Sequence, residues 1–448
     1  DTFNIGSTKD LTHVIAGGAG EDTINYTSAV DATAEFGSIS AIQTFNLVVA
    51  SAANVTVTSG VFHADVDDIT VTGGNSTSTF TTGALASTVE TLDASAFKGN
   101  FLATVAADAL DTTVVFTGGA LTTDKVSNTV TTAATTYALK STGVELLALD
   151  VNGAGSTTVS LAAATGVTGV SVDLAASVIA AVTISNVGSE IITIENAAGG
   201  NDTVEATLVS STGSADTVAF KSGASNAAGL KIKTTDIETV TINNDNATSY
   251  NLSTLTMTAA GATMALTVTG DTAMTISALD TDVNTIDASG MAVGGSVIQT
   301  GRTSTAASTY TGSDGNDTLM MKSKGDVLTG GAGTDTLDID FTGILGGVSV
   351  NLSSTTDQVD SMDGSTNTAI QLGFENVDAS GFTGFGASIT GTAKANAITG
   401  SPLTDSIVSG AGVDTVTATA GNDVIDLGDG NDTLEMSTTL VEARSGGG

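Results

Sequence analysis

The amino-acid sequence predicts an all-β protein, an elongated parallel β-solenoid or β-helix with tighter glycine-aspartate rolls set into it. Three observations carry that reading. Asp405, Asp414, Asp423 and Asp432 stand nine residues apart, each followed two positions on by an aliphatic residue, Ile407, Val416, Ile425 and Leu434. Alternations such as Val55-Thr56-Val57-Thr58, Ile69-Thr70-Val71-Thr72 and Leu266-Thr267-Val268-Thr269 recur, and both alternation and β-branching suit a pleated surface. Aromatic residues make up 4% of the 448 and tryptophan is absent, against 40% hydrophobic residues. That is thin for a globular core, yet adequate for stacked coils that bury small aliphatic side chains against their neighbours.

Taken in order, residues 1–40 open with Asp1-Thr2-Phe3, which reads as the second half of an aspartate-x-aliphatic unit and predicts further sequence upstream. Gly17-Gly18-Ala19-Gly20-Glu21-Asp22-Thr23-Ile24-Asn25 then keeps every fixed position of G-G-x-G-x-D-x-U-x. In that pattern the glycine-rich half folds a tight turn and the x-U-x half makes a short strand with U inward. Residues 41–300 carry a longer repeat. Val89-Glu90-Thr91-Leu92-Asp93-Ala94-Ser95 returns as Val283-Asn284-Thr285-Ile286-Asp287-Ala288-Ser289 and as Phe374-Glu375-Asn376-Val377-Asp378-Ala379-Ser380. Weaker copies place Gln43, Glu145, Glu190 and Glu238 at the same position, so the intervals from Gln43 to Asn284 are 47, 55, 45, 48 and 46 residues. Spacing this regular marks each unit as one layer or a few coils of a repeat array. Helix-period stretches are scarce, although the Ala-rich piece from Leu161 to Thr165 leaves room for a short helical turn.

Residues 301–345 form a second glycine-aspartate block. Gly330-Gly331-Ala332-Gly333-Thr334-Asp335 is complete, and reading back by nines gives Asp326 with Leu328, then Asp317 with Leu319 inside Gly312-Ser313-Asp314-Gly315-Asn316-Asp317. Residues 346–390 return to the longer repeat. Residues 391–436 hold the four-aspartate block, whose register extends back to Asn396 and Ile398, and residues 437–448 are a tail.

Two nine-residue halves close one flat coil, so groups 18 residues apart stack on one side at about 4.8 Å. A cation can then be clamped between coils. Calcium is a hard ion that takes 6–8 oxygens, and a glycine-permitted turn can aim carbonyls as well as carboxylates at it. The expected calcium sites therefore pair Asp317 with Asp335, Asp405 with Asp423, and Asp414 with Asp432. Their lining is assigned to Gly312, Asp314, Gly315, Asp317, Asp326, Gly331, Gly333 and Asp335 in one block. In the other it is assigned to Asp405, Gly410, Gly412, Asp414, Gly421, Asp423, Gly428, Gly430 and Asp432. Gly18, Gly20 and Asp22 form a lone unit with no evident stacking partner. Asn201-Asp202 and Asp216 read as worn units without metal. The recurrent acid of the longer repeat reads as a coil-corner acceptor of backbone N–H groups, because Gln43 and Asn284 replace it without loss of pattern.

With 48 acidic and 12 basic side chains the formal charge is −36. Such a surface disfavours nucleic acid and anionic bilayers and favours divalent cations. Cysteine is absent, so neither disulfides nor thiol chemistry operate, and no uninterrupted apolar run of 18 or more residues suggests membrane insertion. Catalysis has little to work with. His13 and His63 are the two histidines, no His-Glu-x-x-His or Gly-x-Ser-x-Gly is present, Arg302 is the one internal arginine, and Tyr26, Tyr137, Tyr250 and Tyr310 stand isolated. The chain is expected not to be an enzyme.

The glycine-aspartate nonapeptides resemble the RTX repeats of bacterial proteins exported by type I secretion. Together with the Thr/Ala-rich array they resemble RTX-containing surface-layer proteins: Asp1-Thr2-Phe3, Gly17 to Asn25, then Ile42-Gln43-Thr44-Phe45-Asn46-Leu47 follow the order at the start of such a protein's crystalline region. The resemblance implies a secreted, calcium-dependent lattice of identical subunits on the cell surface, held to lipopolysaccharide or another surface glycan through a preceding region. The ending Val441-Glu442-Ala443-Arg444-Ser445-Gly446-Gly447-Gly448 departs from the family's usual secretion signal. A type I-secreted adhesin or stalk is the alternative. Such adhesins usually repeat immunoglobulin-like domains of about 100 residues, longer than the repeat here.

Overall fold

A computed structural model describes residues 1–6, 14–28, 32–34, 38–57, 65–86, 88–110, 114–132, 135–153, 155–174, 180–197, 202–208, 216–226, 230–245, 249–258, 263–292, 294–302, 304–341 and 346–436. His13, His63 and the tail 437–448 lie outside them. The described residues are all β, without a helix, so no helix there is long and apolar enough to cross a membrane. The chain divides into two compact units, Asp1–Thr212 with Val218–Leu230, and Gly213–Thr217 with Lys231–Gly448.

The first unit is a parallel β-solenoid. One wall runs through Thr2–Ile5, Thr23–Ser28, Thr44–Val49, Asp68–Gly73 and Thr91–Phe97 and continues coil by coil to Thr203–Leu208. Another runs through Asn54–Val57, Thr79–Leu85, Asn100–Val105, Lys125–Val130 and Leu146–Val151 to Thr217–Asn226. Side chains alternate strictly between buried and accessible, as period-two strands require. Inward residues therefore stack in columns. Ile24, Phe45, Ile69, Leu92 and Phe116 sit opposite one another on successive strands, each 0–1% exposed.

Register explains the longer repeat. Phe45 faces Ile69, Ile69 faces Leu92, Leu147 faces Val170 and Val170 faces Ile192, so a coil here takes 22–24 residues and the interval of about 47 is two coils. Extra residues are absorbed by bulges in the strands, as between Val172 and Asp173. The Ala-rich piece from Leu161 to Thr165 is not a helical turn but the end of the strand Gly155–Thr165. The strand Thr136–Thr142 pairs parallel with it, Lys140 to Thr142 facing Ala163 to Thr165, and this pairing overrides the local helix preference of alanine.

The second unit is also built of parallel coils, and its rolls are tighter. Leu319 faces Leu337, Ile389 faces Ile407, Ile407 faces Ile425 and Val416 faces Leu434, all 18 residues apart. Between the two glycine-aspartate blocks an antiparallel excursion interrupts the winding. Val348–Asn351 pairs antiparallel with Val359–Met362, which pairs with Ser365–Thr366, so the parallel step from Leu337 to Val377 spans 40 residues.

Candidate metal centre

Every coil of a roll begins its strand just after the aspartate, and that carboxylate points inward beneath the turn. Asp22, Asp317, Asp326, Asp335, Asp405, Asp414 and Asp423 are buried, at 0–4% exposure, whereas Asp314 is exposed and Asp432 half-buried. One oxygen of each stacking carboxylate takes the backbone N–H of the aspartate or asparagine one coil before it. Asp317 donates to Asp335 Oδ1 at 2.8 Å, Asn396 to Asp414 Oδ1 at 2.8 Å, Asp405 to Asp423 Oδ1 at 3.0 Å and Asp414 to Asp432 Oδ1 at 2.9 Å. All three expected pairs are thus neighbours on adjacent coils.

The second oxygen is what sets these residues apart. Oδ2 of Asp22, Asp335, Asp405, Asp414 and Asp423 is buried with no hydrogen-bond partner. A buried acceptor without a partner costs about 1–3 kcal/mol, and more when charged. In Asp22, Asp335 and Asp405 it turns toward the first glycine of its own turn: a Cβ on Gly17 would lie 2.5 Å from Asp22 Oδ2, one on Gly330 2.7 Å from Asp335 Oδ2, and one on Gly400 2.5 Å from Asp405 Oδ2. The complete turn before Asp335 admits no side chain at its glycines. Gly331 and Gly333 have φ of +120° and +121°, and a Cβ there would collide with the Ser313 and Gly315 carbonyls of the coil before.

Burial also disfavours the ionised form. It raises Asp335 from 3.8 to about 7, helped by the charges of Asp317 and Glu375, and Asp405 from 3.8 to about 6 against the opposing Ser401 hydroxyl and Ala387 N–H. Asp317 and Asp423 are raised for the same reason. No group of three or more acidic or histidine side chains converges among the described residues. A cation held here would therefore combine carboxylates with backbone carbonyls of the turns, a donor set that suits calcium. The residues fit that ion at Asp335, Asp405, Asp414, Asp423 and Asp22.

Two sequence-assigned ligands differ. Asp317 has both oxygens engaged, Oδ1 by the Val297 N–H and Oδ2 by the N–H and hydroxyl of Ser313, which stands where the repeat has glycine. Asp326 is paired with the buried Arg302 guanidinium instead of carrying an unpaired oxygen. Asp22 has the stacking neighbour that the sequence reading missed, since Thr2 faces Thr23 and so brings Asp1 beside it, 21 residues away.

The recurrent acid of the longer repeat acts as a corner acceptor at several positions. Gln43 takes the N–H of Asp22 at 2.9 Å, Glu145 that of Asp124 at 3.1 Å, Glu238 that of Asp216 at 2.8 Å and Glu375 that of Asp335 at 2.9 Å. Glu190 takes the N–H of Gly188 within its own corner. Glu90 is exposed and joins the ladder through its backbone, while Asn284 Oδ1 is buried without a partner. Asp216 Oδ2 is likewise unpartnered. Asp124 was overlooked in the sequence. Its carboxylate is fully buried and accepts the N–H groups of Phe101 and Gly119, and the signal for it is Gly118-Gly119 placed one residue further upstream than in the regular turn.

These assignments separate by experiment. Asp423→Ala is expected to lower calcium affinity at its site about tenfold or more, because it removes an anionic ligand, whereas Glu238→Ala leaves calcium binding unchanged. Calorimetric titration of both variants checks this, and equal losses would contradict it.

The model of the RTX calcium-binding nonapeptide repeat family matches residues 311–339 and 389–434, in four copies. Those spans contain the rungs from Asp317 to Asp335 and from Asn396 to Asp432, and leave Gly17 to Asn25 outside. A search of curated proteins finds no match. The two tightly wound stretches of this all-β solenoid match RTX repeats of the calcium-binding type.

Proposed function

We propose that the chain is an extracellular, calcium-binding structural protein that self-assembles into a surface-layer lattice and carries no catalytic activity. The observation that carries this reading is the row of buried, unpartnered aspartate oxygens on successive coils, in a chain whose formal charge is −36. Buried carboxylates of this kind call for bound cations, and identical subunits of such charge repel unless ions neutralise or bridge their faces. Calcium then governs both the winding of the rolls and the approach of one subunit to another. RTX proteins are typically exported by type I secretion, and the same export is proposed for this chain. A surface glycan such as lipopolysaccharide would hold the lattice to the cell.

The parallel coils also weigh on the alternative. Immunoglobulin-like adhesin repeats are antiparallel sandwiches, whereas wall after wall of both units pairs parallel. Sites built from turns on exported modules typically bind calcium at about 10⁻⁴–10⁻³ M. Electron microscopy and light scattering across a calcium series, with magnesium as control, are expected to give ordered sheets over that range and with calcium alone. A chain that stays monomeric at every calcium concentration would favour the adhesin or stalk, and sheets that form in chelator would remove calcium from the assembly step.

A further inference from the structure

Asp326 keeps the nine-residue register of its neighbours but not their turn. Met321-Lys322-Ser323-Lys324-Gly325 stands before it, where Gly330-Gly331-Ala332-Gly333-Thr334 stands before Asp335. Its carboxylate is fully buried, and so is the guanidinium of Arg302, contributed from 24 residues earlier, whose Nη1 donates to Oδ2 at 2.7 Å. The N–H groups of Lys322 and Ser323 reach the same oxygen at 2.8 Å, and that of Ser308 reaches Oδ1 at 2.8 Å. Arg302 Nη2 donates to the Ala306 carbonyl, and the guanidinium carbon lies 5.4 Å from the centre of the Tyr310 ring.

Compared with Asp335, Asp405, Asp414 and Asp423, the difference is one of charge supply. Each of those keeps a buried Oδ2 without a protein partner, while the corresponding oxygen of Asp326 holds a cation that belongs to the chain. Guanidinium suits this place better than ammonium, being always charged, planar and more weakly hydrated. Two lysines of the same turn are engaged as well, Lys322 with Asp340 at 2.8 Å and Lys324 with Asp363 at 3.0 Å. The turn at Asp326 joins the strand Thr318–Met321 to the strand Val327–Thr329, which leads on to the turn at Asp335. One coil therefore has an ion-demanding turn at one edge and an arginine-closed turn at the other.

We propose that Arg302 is a resident cation standing in for calcium at the Asp326 rung, that it keeps this coil wound when calcium is absent, and that it thereby preorganises the Asp317–Asp335 site to fill before the sites of residues 391–436. The proposal rests on the calcium reading of the rolls. A coil already wound loses less conformational freedom when the ion arrives, and preorganisation of that kind appears as affinity. Removing one partner of a buried ion pair leaves an uncompensated charge and is strongly destabilising, so loss of Arg302 makes the coil dependent on added calcium.

The test uses the full chain with limited proteolysis mapped by mass spectrometry, in chelator and across a calcium series. In chelator the wild type is expected to be cut within 391–436 about tenfold faster than within 302–341, and Arg302→Met to be cut in both segments alike. Calcium should restore protection of 302–341 in that variant at a concentration about tenfold above the wild-type midpoint, tenfold being the reach of one preorganised site. If Arg302→Met stays unfolded at saturating calcium, Arg302→Lys, which keeps the charge, decides: protection in chelator supports the resident cation and its loss overturns it. Equal cutting of both segments in wild-type chelator samples, or an Arg302→Met variant protected as well as wild type, also overturns it. If neither segment responds to calcium in any variant, the calcium reading itself has failed.

Discussion

Removing calcium is expected to unwind residues 391–436 while the coils between residues 44 and 197 stay folded. Asp405, Asp414 and Asp423 each keep a buried Oδ2 without a partner, and they follow one another at nine-residue spacing on opposite edges of successive half-coils. Without a cation that row must protonate or open. Between residues 44 and 197 the buried carboxylate of Asp124 has both oxygens held by backbone N–H groups, and the column of Phe45, Ile69 and Leu92 is fully buried. Circular dichroism should show partial loss of β signal in chelator, and proteolysis should accelerate within 391–436. Unchanged cleavage there would count decisively against the sites.

The same experiment has a pH sign. Asp335 at about 7 and Asp405 at about 6 lie above the ordinary value of 3.8 because burial penalises their charge. The folded state therefore holds protons more tightly than the unfolded chain. Its stability contribution is full below about pH 4 and is lost as the pH rises through 6 to 7. In chelator the rolls should thus resist protease better at pH 5 than at pH 8. With calcium present the order reverses, since protons compete with the ion for the same oxygens.

The second large effect is independent of metal. Phe101 is fully buried, faces Phe80 across the register and stacks on it with ring centroids 6.3 Å apart and planes at 9°. Phe101→Ala should destabilise the first unit by about 3–5 kcal/mol, the usual cost of emptying a phenylalanine site in a packed core. A wall of neighbouring strands on both sides leaves little room for collapse. Denaturant unfolding of the variant should show the loss at all calcium concentrations, and recovery on adding calcium would mean that the two units do not divide their support in this way.

Much of this was legible in the sequence because its physics is local. A nine-residue phase of aspartate and aliphatic residues, as at Asp405 to Leu434, records the winding of a roll directly, and Val-Thr alternation records which face is inward. What escaped depends on residues brought together across a coil. Nothing near Asp326 announces Arg302, 24 residues away, and Asp1 stacks on Asp22 at an irregular 21. Alanine around Leu161 spoke for helix, but propensity is a weak prior and parallel pairing with Thr136–Thr142 outweighed it. The excursion at Val348–Asn351 and Val359–Met362 has no repeat to betray it. The corner role of Glu145, Glu238 and Glu375 was readable from glutamine and asparagine substitutions, yet the same logic misplaced Asn284, whose Oδ1 finds no donor.

The pairing of most strands with the one a single coil ahead has a kinetic corollary. Partners 18 to 24 residues apart, as Leu319 with Leu337 and Phe45 with Ile69, put the typical separation at roughly 0.05 of the chain length, below the values common for helical bundles. Parallel sheets are ordinarily slow to form because distant segments must meet first. Here each newly available segment needs only the preceding coil as a template, so growth can proceed like a zipper from any finished coil, and a chain delivered end first could wind as fast as it arrives.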